Sequence, residues 1–162
     1  MPRVYISIGS NIDRDVNIRA GVAELRECFG DLVLSSVYES QPVGFSGDNF
    51  YNLVIGFDTV QDARDVNMHL HNIERDHGRI RNGQRFNSRT LDLDLLVYGN
   101  AVIHEHGLTL PRDEILRYAF VLCPLAEIAG DEKHPLNERS YAVLWDEFEK
   151  RPQPLWAVGF EW

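Results

Sequence analysis

The chain has 162 residues, of which 44 % are hydrophobic, and its 16 Lys and Arg residues against 25 Asp and Glu residues give a formal net charge of −9 at pH 7. That acidic balance argues against a protein that binds nucleic acid or an anionic membrane surface, because both require a positive field. No apolar run approaches the roughly 20 residues of a membrane helix, and the N-terminal residues lack the pattern of a signal peptide. A chain of this length without a linker-like stretch predicts a single domain over residues 1–162.

The two cysteines indicate a compartment. Cys28 and Cys123 each lie in an otherwise apolar stretch without a CxxC partner, which predicts buried, reduced thiols. Reduced thiols are typical of cytosolic proteins. We therefore expect a cytoplasmic protein, and we expect it to act on small molecules as a monomer.

The first half of the chain alternates predicted strands with predicted helices. Polar and apolar residues alternate, with β-branched content, over 3–8, 32–38 and 50–57, which predicts strands, and residues 9–11 predict a turn. Helices are predicted from a cap at Asp15 to about Phe29 and from a cap at Asp62 to about Gly78. Residues 39–49 and 79–88 are predicted loops, and 90–97 is a fourth predicted strand.

The second half is predicted to be mainly helical. A short extended piece is predicted at 108–111, a partly helical stretch at 113–129 with an interruption at Pro124, a helix at 141–148 and a small edge strand at 155–160. The order of the elements is strand–helix–strand–strand–helix–strand, followed by extra helices. That order predicts an α+β fold with a ferredoxin-like antiparallel sheet, a β-α-β-β-α-β core, and helices packed on it.

The fourth predicted strand carries the clearest chemical signal. Because side chains alternate faces along a strand, its leucines point one way while Asp92 and Asp94 point the other. Two carboxylates on one face repel each other unless a positive group lies between them. Mg²⁺ binds one or two carboxylates together with substrate phosphates. We interpret the pair as a candidate divalent-metal site, and the alternative is a strand with one solvated face.

The loop before this strand is strongly basic. Residues 78–90 contain Arg79, Arg81, Arg85 and Arg89 and no acidic residue. Guanidinium groups match the geometry of phosphate oxygens, so this loop suits a lid over a metal–polyphosphate site; a solvated loop is the alternative. The chain has neither a Walker loop nor a dinucleotide-binding glycine motif, so arginines and metal ions would have to hold the phosphates of any ATP.

Aromatic and amide side chains suggest a second ligand. Phe50 and Asn52 share one face of the third predicted strand, and Phe120 follows later in the chain. Two rings can clamp a flat heterocycle while an amide recognises its edge. The alternative is that both rings belong to the core.

In combination, these segments resemble the 6-hydroxymethyl-7,8-dihydropterin pyrophosphokinase family. The resemblance covers residues 4 to about 130, and the matching segments are Ile8-Gly9-Ser10-Asn11, Pro42-Val43-Gly44, Phe50-Tyr51-Asn52, Ile73-Glu74, Gly78-Arg79, Arg89-Thr90-Leu91-Asp92-Leu93-Asp94, Ala119-Phe120-Val121-Leu122 and Pro124-Leu125. The R-x-L-D-L-D segment is the most specific. The resemblance implies a Mg²⁺-dependent enzyme of folate biosynthesis that transfers the diphosphoryl group of ATP to the hydroxymethyl oxygen of the pterin and releases AMP.

The resemblance also implies roles for individual residues. Asp92 and Asp94 would bind two Mg²⁺ ions, and Arg79 and Arg89 would be the catalytic residues that engage the phosphates. The implied pterin-binding residues are Ser40, Val43, Phe50, Asn52 and Phe120. The implied ATP-binding residues are Arg81, Phe86, Leu95 and Thr109.

The chain departs from the family pattern around the nucleotide. Arg112 follows Pro111 where the family usually has His, and Tyr118 stands where it usually has Arg, so Arg112 and Arg117 are candidates for replacement ATP contacts. Two alternatives stay open. One is a divergent pterin-binding or regulatory relative with weak or no kinase activity, and the other is a metal-dependent transferase with a different heterocyclic acceptor.

Overall fold

The computed structural model describes residues 1–78 and 90–162. The strands in these ranges are β1 (Arg3–Ser10), β2 (Val33–Leu34), β3 (Val37–Ser40), β4 (Phe50–Asp58), β5 (Asp92–Tyr98), β6 (Ile103–Glu105), β7 (Leu108–Leu110) and β8 (Leu155–Val158). The helices are α1 (Arg14–Phe29), α2 (Ala63–Asp76), α3 (Glu114–Arg117), α4 (Ala119–Ala129) and α5 (Tyr141–Glu147).

Six of these strands form one antiparallel sheet. Its order is β5-β1-β4-β3-β8, with β2 pairing with β4, while β6 and β7 form a separate two-stranded sheet. Each pairing in the six-stranded sheet is antiparallel. The prediction of an antiparallel sheet with helices packed on it is confirmed, and β8 is the edge strand expected near the C-terminus.

Different helices cover the two faces of this sheet. On one face, alternate residues of β1, β4 and β5 pack against α1 and α2 in an apolar cluster that includes Ile6, Ile55, Leu93, Val22 and Leu70. On the other face, the cluster against α4 and α5 includes Tyr5, Val54, Leu96, Leu125 and Tyr141. Because β4 is buried from Asn52 to Phe57, it forms the centre of the fold and fixes the position of both neighbouring strands.

Two strand boundaries differ from the prediction. The segment predicted as one strand at 32–38 is divided at Ser35, whose Oγ accepts a hydrogen bond from Val54 N over 2.9 Å and so replaces a regular ladder contact. The turn predicted at 9–11 begins later, because Gly9 and Ser10 continue β1 and pair with β4. The extra length carries β1 to the end of the sheet, where the candidate site lies.

Two helix predictions also need correction. The interruption between α3 and α4 falls at Tyr118, which is extended (φ −124°, ψ 126°), while Pro124 lies inside α4. Ala119 N donates instead to Gln153 Oε1 over 2.9 Å, so a side chain satisfies the first amide of α4. At the start of α1, Asp13 occupies the cap position without a side-chain hydrogen bond and Asp15 lies in the first turn. The cap at Asp62 is confirmed, since its carboxylate accepts from Asp65 N over 3.0 Å.

The cysteine prediction is half right. Neither Cys28 nor Cys123 forms a disulfide, but Cys28 is exposed and Cys123 is half-buried. Cys28 lies outside the apolar face of α1, whose buried positions are Ile18, Gly21, Val22 and Leu25. Within the described ranges, no helix combines the length and the apolar character needed to cross a membrane.

Candidate active site

The candidate site residues of four strands lie together at one end of the sheet. β1 and β3 end there and β4 and β5 begin there, because neighbouring strands run antiparallel. The register pairs Gly9 of β1 with Asn52 of β4 on one side and with Asp92 of β5 on the other. Paired residues share a face of a sheet, and this is the face that carries α4 and α5. The structure therefore brings Asp92, a predicted metal residue, and Asn52, a predicted pterin residue, into one row.

We refer to Gly9, Ser40, Phe50 and Asn52 as the neutral half of the site. The Asn52 side chain donates from Nδ2 to Ser40 Oγ over 2.7 Å, and both residues are buried. A Cβ at position 9 would lie 3.2 Å from Asn52 Oδ1 and 3.7 Å from Phe50 Cδ1. Glycine at position 9 therefore lets the amide and the ring lie close to the sheet, and the amide is held in one orientation before any ligand binds.

The two predicted clamp rings lie on this same face. Phe50 makes an edge contact with Phe45, with ring centroids 6.2 Å apart. Phe120, at the start of α4, stacks on Tyr118 with centroids 5.2 Å apart and planes 21° apart. Each ring is thus braced by a second aromatic ring, an arrangement that suits a rigid surface for a flat heterocycle.

A network around Arg14 supports the loop that precedes β4. The Arg14 guanidinium donates to the Asn49 carbonyl over 3.0 Å, lies 3.4 Å from the Glu39 carboxylate and covers the Tyr51 ring at 3.8 Å. Asn49 Nδ2 donates to the same Glu39 carboxylate over 3.0 Å. These contacts fix the chain just before Phe50; Val43 lies in this loop and is partly buried.

We refer to Asp92, Asp94, Arg112 and Glu114 as the charged half. Asp92 and Asp94 are partly exposed on the site face of β5, while Leu93 between them is buried in the core. The backbone N–H of Leu93 donates to Oε2 of the buried Glu74 over 2.8 Å. This bond ties the start of β5 to α2 and thereby holds the two carboxylates in place.

Arg112 links the Asp pair to the chain beyond β7. Its Nη2 lies 3.4 Å from Asp94 Oδ1, and its Nε forms a closer ion pair with Glu114 Oε2. Burial lowers the pKa of the guanidinium, but the Asp94 and Glu114 carboxylates outweigh that effect and raise the pKa above its usual value. Arg112 is therefore a permanent positive charge beside Asp94.

The residues of the charged half fit Mg²⁺. Carboxylate oxygens are the ligands that Mg²⁺ prefers, and it usually adds water and substrate phosphates to one or two of them. The residues opposite Asp92 and Asp94 on β1 are Gly9 and Ser7, which are small. Among the described residues, no group of three or more His, Cys, Asp and Glu side chains is placed to hold a metal ion. An ion at the Asp pair would thus complete its shell with phosphate oxygens and water.

Four of the predicted site residues lie in the sequence between α2 and β5. Arg79, Arg81, Phe86 and Arg89 lie outside the described residues. The next residue, Thr90, is anchored because its carbonyl accepts from Ser10 Oγ over 2.5 Å.

The remaining nucleotide candidates are spread over three elements. Leu95 is buried in the core on the opposite face from Asp94, so a nucleotide contact there would involve its backbone. Thr109 lies on β7 between the buried Leu108 and Leu110. Arg117 Nη2 lies 3.6 Å from Glu114 Oε1, at the margin of the charged half.

Three residues that matter to the site were missed by the sequence reasoning. They are Gly9, which makes room beside Asn52; Glu74, which anchors β5; and Glu114, which pairs with Arg112. Gly9 and Glu74 lie in segments that match the family, so a signal was present for them. Glu114 gave no signal, because its role depends on the contact with Arg112 in the folded chain.

Comparison with known proteins places the chain in a family. The model of the 7,8-dihydro-6-hydroxymethylpterin-pyrophosphokinase family matches residues 5–130. The 2-amino-4-hydroxy-6-hydroxymethyldihydropteridine pyrophosphokinase of Haemophilus influenzae is 34 % identical over 135 residues, which cover 81 % of this chain and 84 % of the relative. The protein of the same name from Bacillus subtilis is 36 % identical over 128 residues, 76 % of each chain.

Longer proteins also match. The folic acid synthesis protein fol1 of Pneumocystis carinii is 34 % identical over 146 residues, which are 88 % of this chain but 20 % of that protein. A crystal structure of Plasmodium falciparum HPPK-DHPS superposes with a TM-score of 0.68 at 15 % identity, covering 91 % of this chain and 43 % of the other. At that identity the superposition establishes the fold alone.

The family match over residues 5–130 and the two bacterial relatives define the class of protein, that of the pterin pyrophosphokinases. The chain belongs to the 7,8-dihydro-6-hydroxymethylpterin-pyrophosphokinase family. The family resemblance read from the sequence is thereby confirmed, and membership supports the predicted role as a pyrophosphokinase in folate biosynthesis.

Proposed function

We propose that this protein transfers the β,γ-diphosphoryl group of ATP to the hydroxymethyl oxygen of 6-hydroxymethyl-7,8-dihydropterin. In that reaction the hydroxymethyl oxygen forms a bond to the β-phosphorus and its proton passes to water, while the bond between the β-phosphorus and the bridging oxygen to the α-phosphate breaks and AMP leaves. The observation that carries the proposal is the row Asn52–Gly9–Asp92 across three strands. It puts a group suited to a heterocycle next to a carboxylate pair suited to a cation–phosphate complex.

The neutral half is proposed to bind the pterin. Asn52 would hydrogen-bond the edge of the heterocycle, and Phe50 and Phe120 would contact its two faces. The Asn52–Ser40 bond of 2.7 Å supports this role, because an amide that is already oriented loses little entropy when the ligand binds. Backbone groups of residues 40–43, including those of Ser40 and Val43, would complete the pocket.

The charged half is proposed to hold two Mg²⁺ ions through Asp92 and Asp94. When bound, the ions supply charge neutralisation for the phosphate oxygens and lower the pKa of the attacking hydroxyl. The carboxylates themselves fix where the phosphates lie, since β5 is tied to α2 and to β1. Arg79, Arg89 and Arg81 from the segment before β5, with Arg112 and Arg117 beyond β7, would donate to phosphate oxygens as negative charge redistributes during transfer.

Phe86, Leu95 and Thr109 are proposed to contact the rest of the ATP molecule. The position of β7 and β5 next to the charged half supports nucleotide contacts from Thr109 and from the backbone of Leu95. The backbone amide of Arg112 donates to the Leu96 carbonyl over 2.9 Å and so ties the segment after β7 to β5.

We also propose finer features of the fold, the oligomeric state and the cellular location. The order β5-β1-β4-β3 supports a ferredoxin-like core, and the pairing of β8 with β3 supports a single domain over residues 1–162. We propose a monomer, because one chain supplies every described site residue. The two unpaired thiols support a cytoplasmic location.

Product analysis tests the proposal. The protein is incubated with Mg²⁺, ATP and 6-hydroxymethyl-7,8-dihydropterin, and the products are separated by chromatography. We expect AMP and the pterin diphosphate in equal amounts. Formation of ADP would contradict diphosphoryl transfer. Calorimetric pterin binding without AMP release would favour the pterin-binding relative, for which the presence of Tyr118 in place of the usual Arg is the motivating observation.

A further inference from the structure

Four side chains beside β5 form a line of alternating charge. Asp94 Oδ1 lies 3.4 Å from Arg112 Nη2, Arg112 Nε pairs with Glu114 Oε2, and Glu114 Oε1 lies 3.6 Å from Arg117 Nη2. Arg112 therefore contacts two carboxylates at once, one on β5 and one on α3. The two carboxylates differ in position, because Glu114 lies two residues after Arg112 in the chain whereas Asp94 lies on β5.

The paired atoms of Arg112 and Glu114 are shielded from water. Arg112 Nε and Glu114 Oε2 are both inaccessible to solvent, although the two acidic side chains as a whole differ little in exposure, Glu114 at 18 % and Asp94 at 23 %. The backbone of Arg112 is fixed as well, since its N–H donates to the Leu96 carbonyl over 2.9 Å. A shielded ion pair is weakened less by solvent and salt than a partly exposed one. The contact with Glu114 is therefore the one that persists when the surroundings of Asp94 change.

We propose that Arg112 acts as a counter-ion that competes with a divalent cation for Asp94, and that Glu114 is the positioning residue that keeps Arg112 beside the site after the cation has bound. The inference rests on the proposed function, because it takes Asp94 to be a cation ligand. It goes beyond that function by assigning a role to Glu114 and a second role to Arg112.

The competition between Arg112 and a cation for Asp94 is electrostatic. A divalent cation at Asp94 repels a guanidinium a few ångströms away, so cation binding loosens the contact between Arg112 and Asp94. Without Glu114 the guanidinium would then move into solvent. Held by Glu114, it stays next to the cation with donors directed at the space where phosphate oxygens would lie, and its fork geometry matches them. Arg112 thus opposes binding of the bare cation and favours binding of the cation–nucleotide complex.

Mn²⁺ binding, followed by electron paramagnetic resonance, tests this on the whole protein without turnover. We expect Arg112→Gln to tighten Mn²⁺ binding about three- to tenfold, as loss of a partly exposed ion pair implies. The same variant should weaken binding of α,β-methylene-ATP with Mg²⁺. A purely structural role would weaken both, so effects of opposite sign identify the counter-ion. Arg112→Lys, which keeps the charge, should retain the wild-type Mn²⁺ affinity.

Glu114 is tested in a double-mutant cycle. Glu114→Gln should weaken Mn²⁺ binding in the wild-type background, because Arg112 then pairs with Asp94 alone, and the effect should nearly vanish in the Arg112→Gln background. Arg3→Gln is the matched control: it removes one positive charge from an exposed pair with Asp58, at the opposite end of β1, and should leave Mn²⁺ binding unchanged. Thermal unfolding of each variant checks that it is folded.

The outcomes separate this inference from the proposed function. If wild type binds Mn²⁺, Asp94→Asn abolishes binding and Arg112→Gln has no effect, the counter-ion inference is wrong and the metal site stands. If Arg112→Gln weakens both Mn²⁺ and the nucleotide analogue, or if the effect of Glu114→Gln is independent of Arg112, the inference is also wrong. If neither wild type nor Arg112→Gln binds Mn²⁺, the metal site itself is refuted together with the inference.

Discussion

The neutral and charged halves of the site share one end of the sheet but are held in different ways. Asn52 is fixed by a neutral hydrogen bond to a buried serine, and Phe50 is braced by another ring. Asp94 is instead held beside Arg112, whose charge is shared with Glu114. The neutral half is therefore organised before a ligand binds, whereas the charged half has internal ion pairs that a bound cation would have to replace.

This difference determines how each half responds to substitution. Substitutions in the neutral half should change the affinity for the heterocycle and little else, because they remove hydrogen bonds to it or alter the shape of its pocket. Substitutions in the charged half should change cation and phosphate binding and, through them, turnover. Single substitutions in each half test whether the halves are separable in this way.

The largest effect is expected from Asp94→Asn. Loss of a carboxylate that is proposed to hold the cation should lower kcat by roughly 100-fold or more, while the pterin Kd stays at the wild-type value. Steady-state AMP release and calorimetric pterin titration measure the two quantities. The control is Asp58→Asn, which removes an equal charge from an exposed position at the far end of β4. Near-normal turnover in Asp94→Asn would rule out the metal assignment.

A smaller effect, in the other half, is expected from Asn52→Leu. The substitution keeps the size of the side chain but removes its amide, so the pterin Kd should rise by roughly 10- to 100-fold. Binding of α,β-methylene-ATP with Mg²⁺ should not change. Ser40→Ala removes only the partner that orients the amide and should raise the pterin Kd less. A larger loss of nucleotide than of pterin affinity in Asn52→Leu would show that the halves are not separable.

The shape of the neutral half is tested by Gly9→Ala. The new Cβ would lie 3.2 Å from Asn52 Oδ1, so the amide must move by a few tenths of an ångström. We expect the pterin Kd to rise about three- to tenfold, because amide geometry sets the hydrogen bonds to the ligand. Gly159→Ala is the control, since its Cβ would meet no atom within 4 Å. Unchanged pterin affinity in Gly9→Ala would show that Gly9 does not shape the pterin site.

The smallest expected effect is on stability and concerns His134, which lies outside both halves. Its titration sets the pH range in which the two halves can be compared. Burial lowers the pKa of His134, and its Nδ1 accepts a hydrogen bond from Leu136 N over 3.2 Å. The unfolded chain therefore binds a proton more readily than the folded one, so stability is complete above the unfolded pKa of about 6.5 and declines as the pH falls through it. Melting temperatures between pH 8 and 5 measure this decline, which should be weaker in His134→Asn. Equal declines in both proteins would show that His134 is not the titrating group.

Much of the neutral half could be predicted from the sequence, and the reason is its local character. Phe50 and Asn52 are two residues apart on one strand, so alternation alone places them on one face. The pair Asp92 and Asp94 was found in the same way. The two pairs meet in one site because Gly9 of β1 lies between Asn52 and Asp92. The family resemblance supplied that long-range step, which alternation could not.

The charged half was less predictable because its central contact joins Asp94 on β5 to Arg112 beyond β7. Arg112 was identified as a replacement cation from its departure from the family pattern, but its pairing with Asp94 and Glu114 required the folded chain. The helix break shows the same limit. Pro124 is the stronger local signal for a break, yet the break falls at Tyr118, where Gln153 satisfies the next amide. The partner of the Ala119 amide thus comes from a residue 34 positions later in the chain, which local sequence signals do not reveal.

The most direct test of this account is a crystal structure of the protein with Mn²⁺, α,β-methylene-ATP and 6-hydroxymethyl-7,8-dihydropterin. The analogue blocks cleavage between the α- and β-phosphates, and Mn²⁺ is located by anomalous scattering. We predict Mn²⁺ bound by Asp92 and Asp94, and the pterin between Phe50 and Phe120 with its edge on Asn52. Mn²⁺ bound away from both aspartates, or the pterin bound away from Asn52, would contradict the division of the site into these two halves.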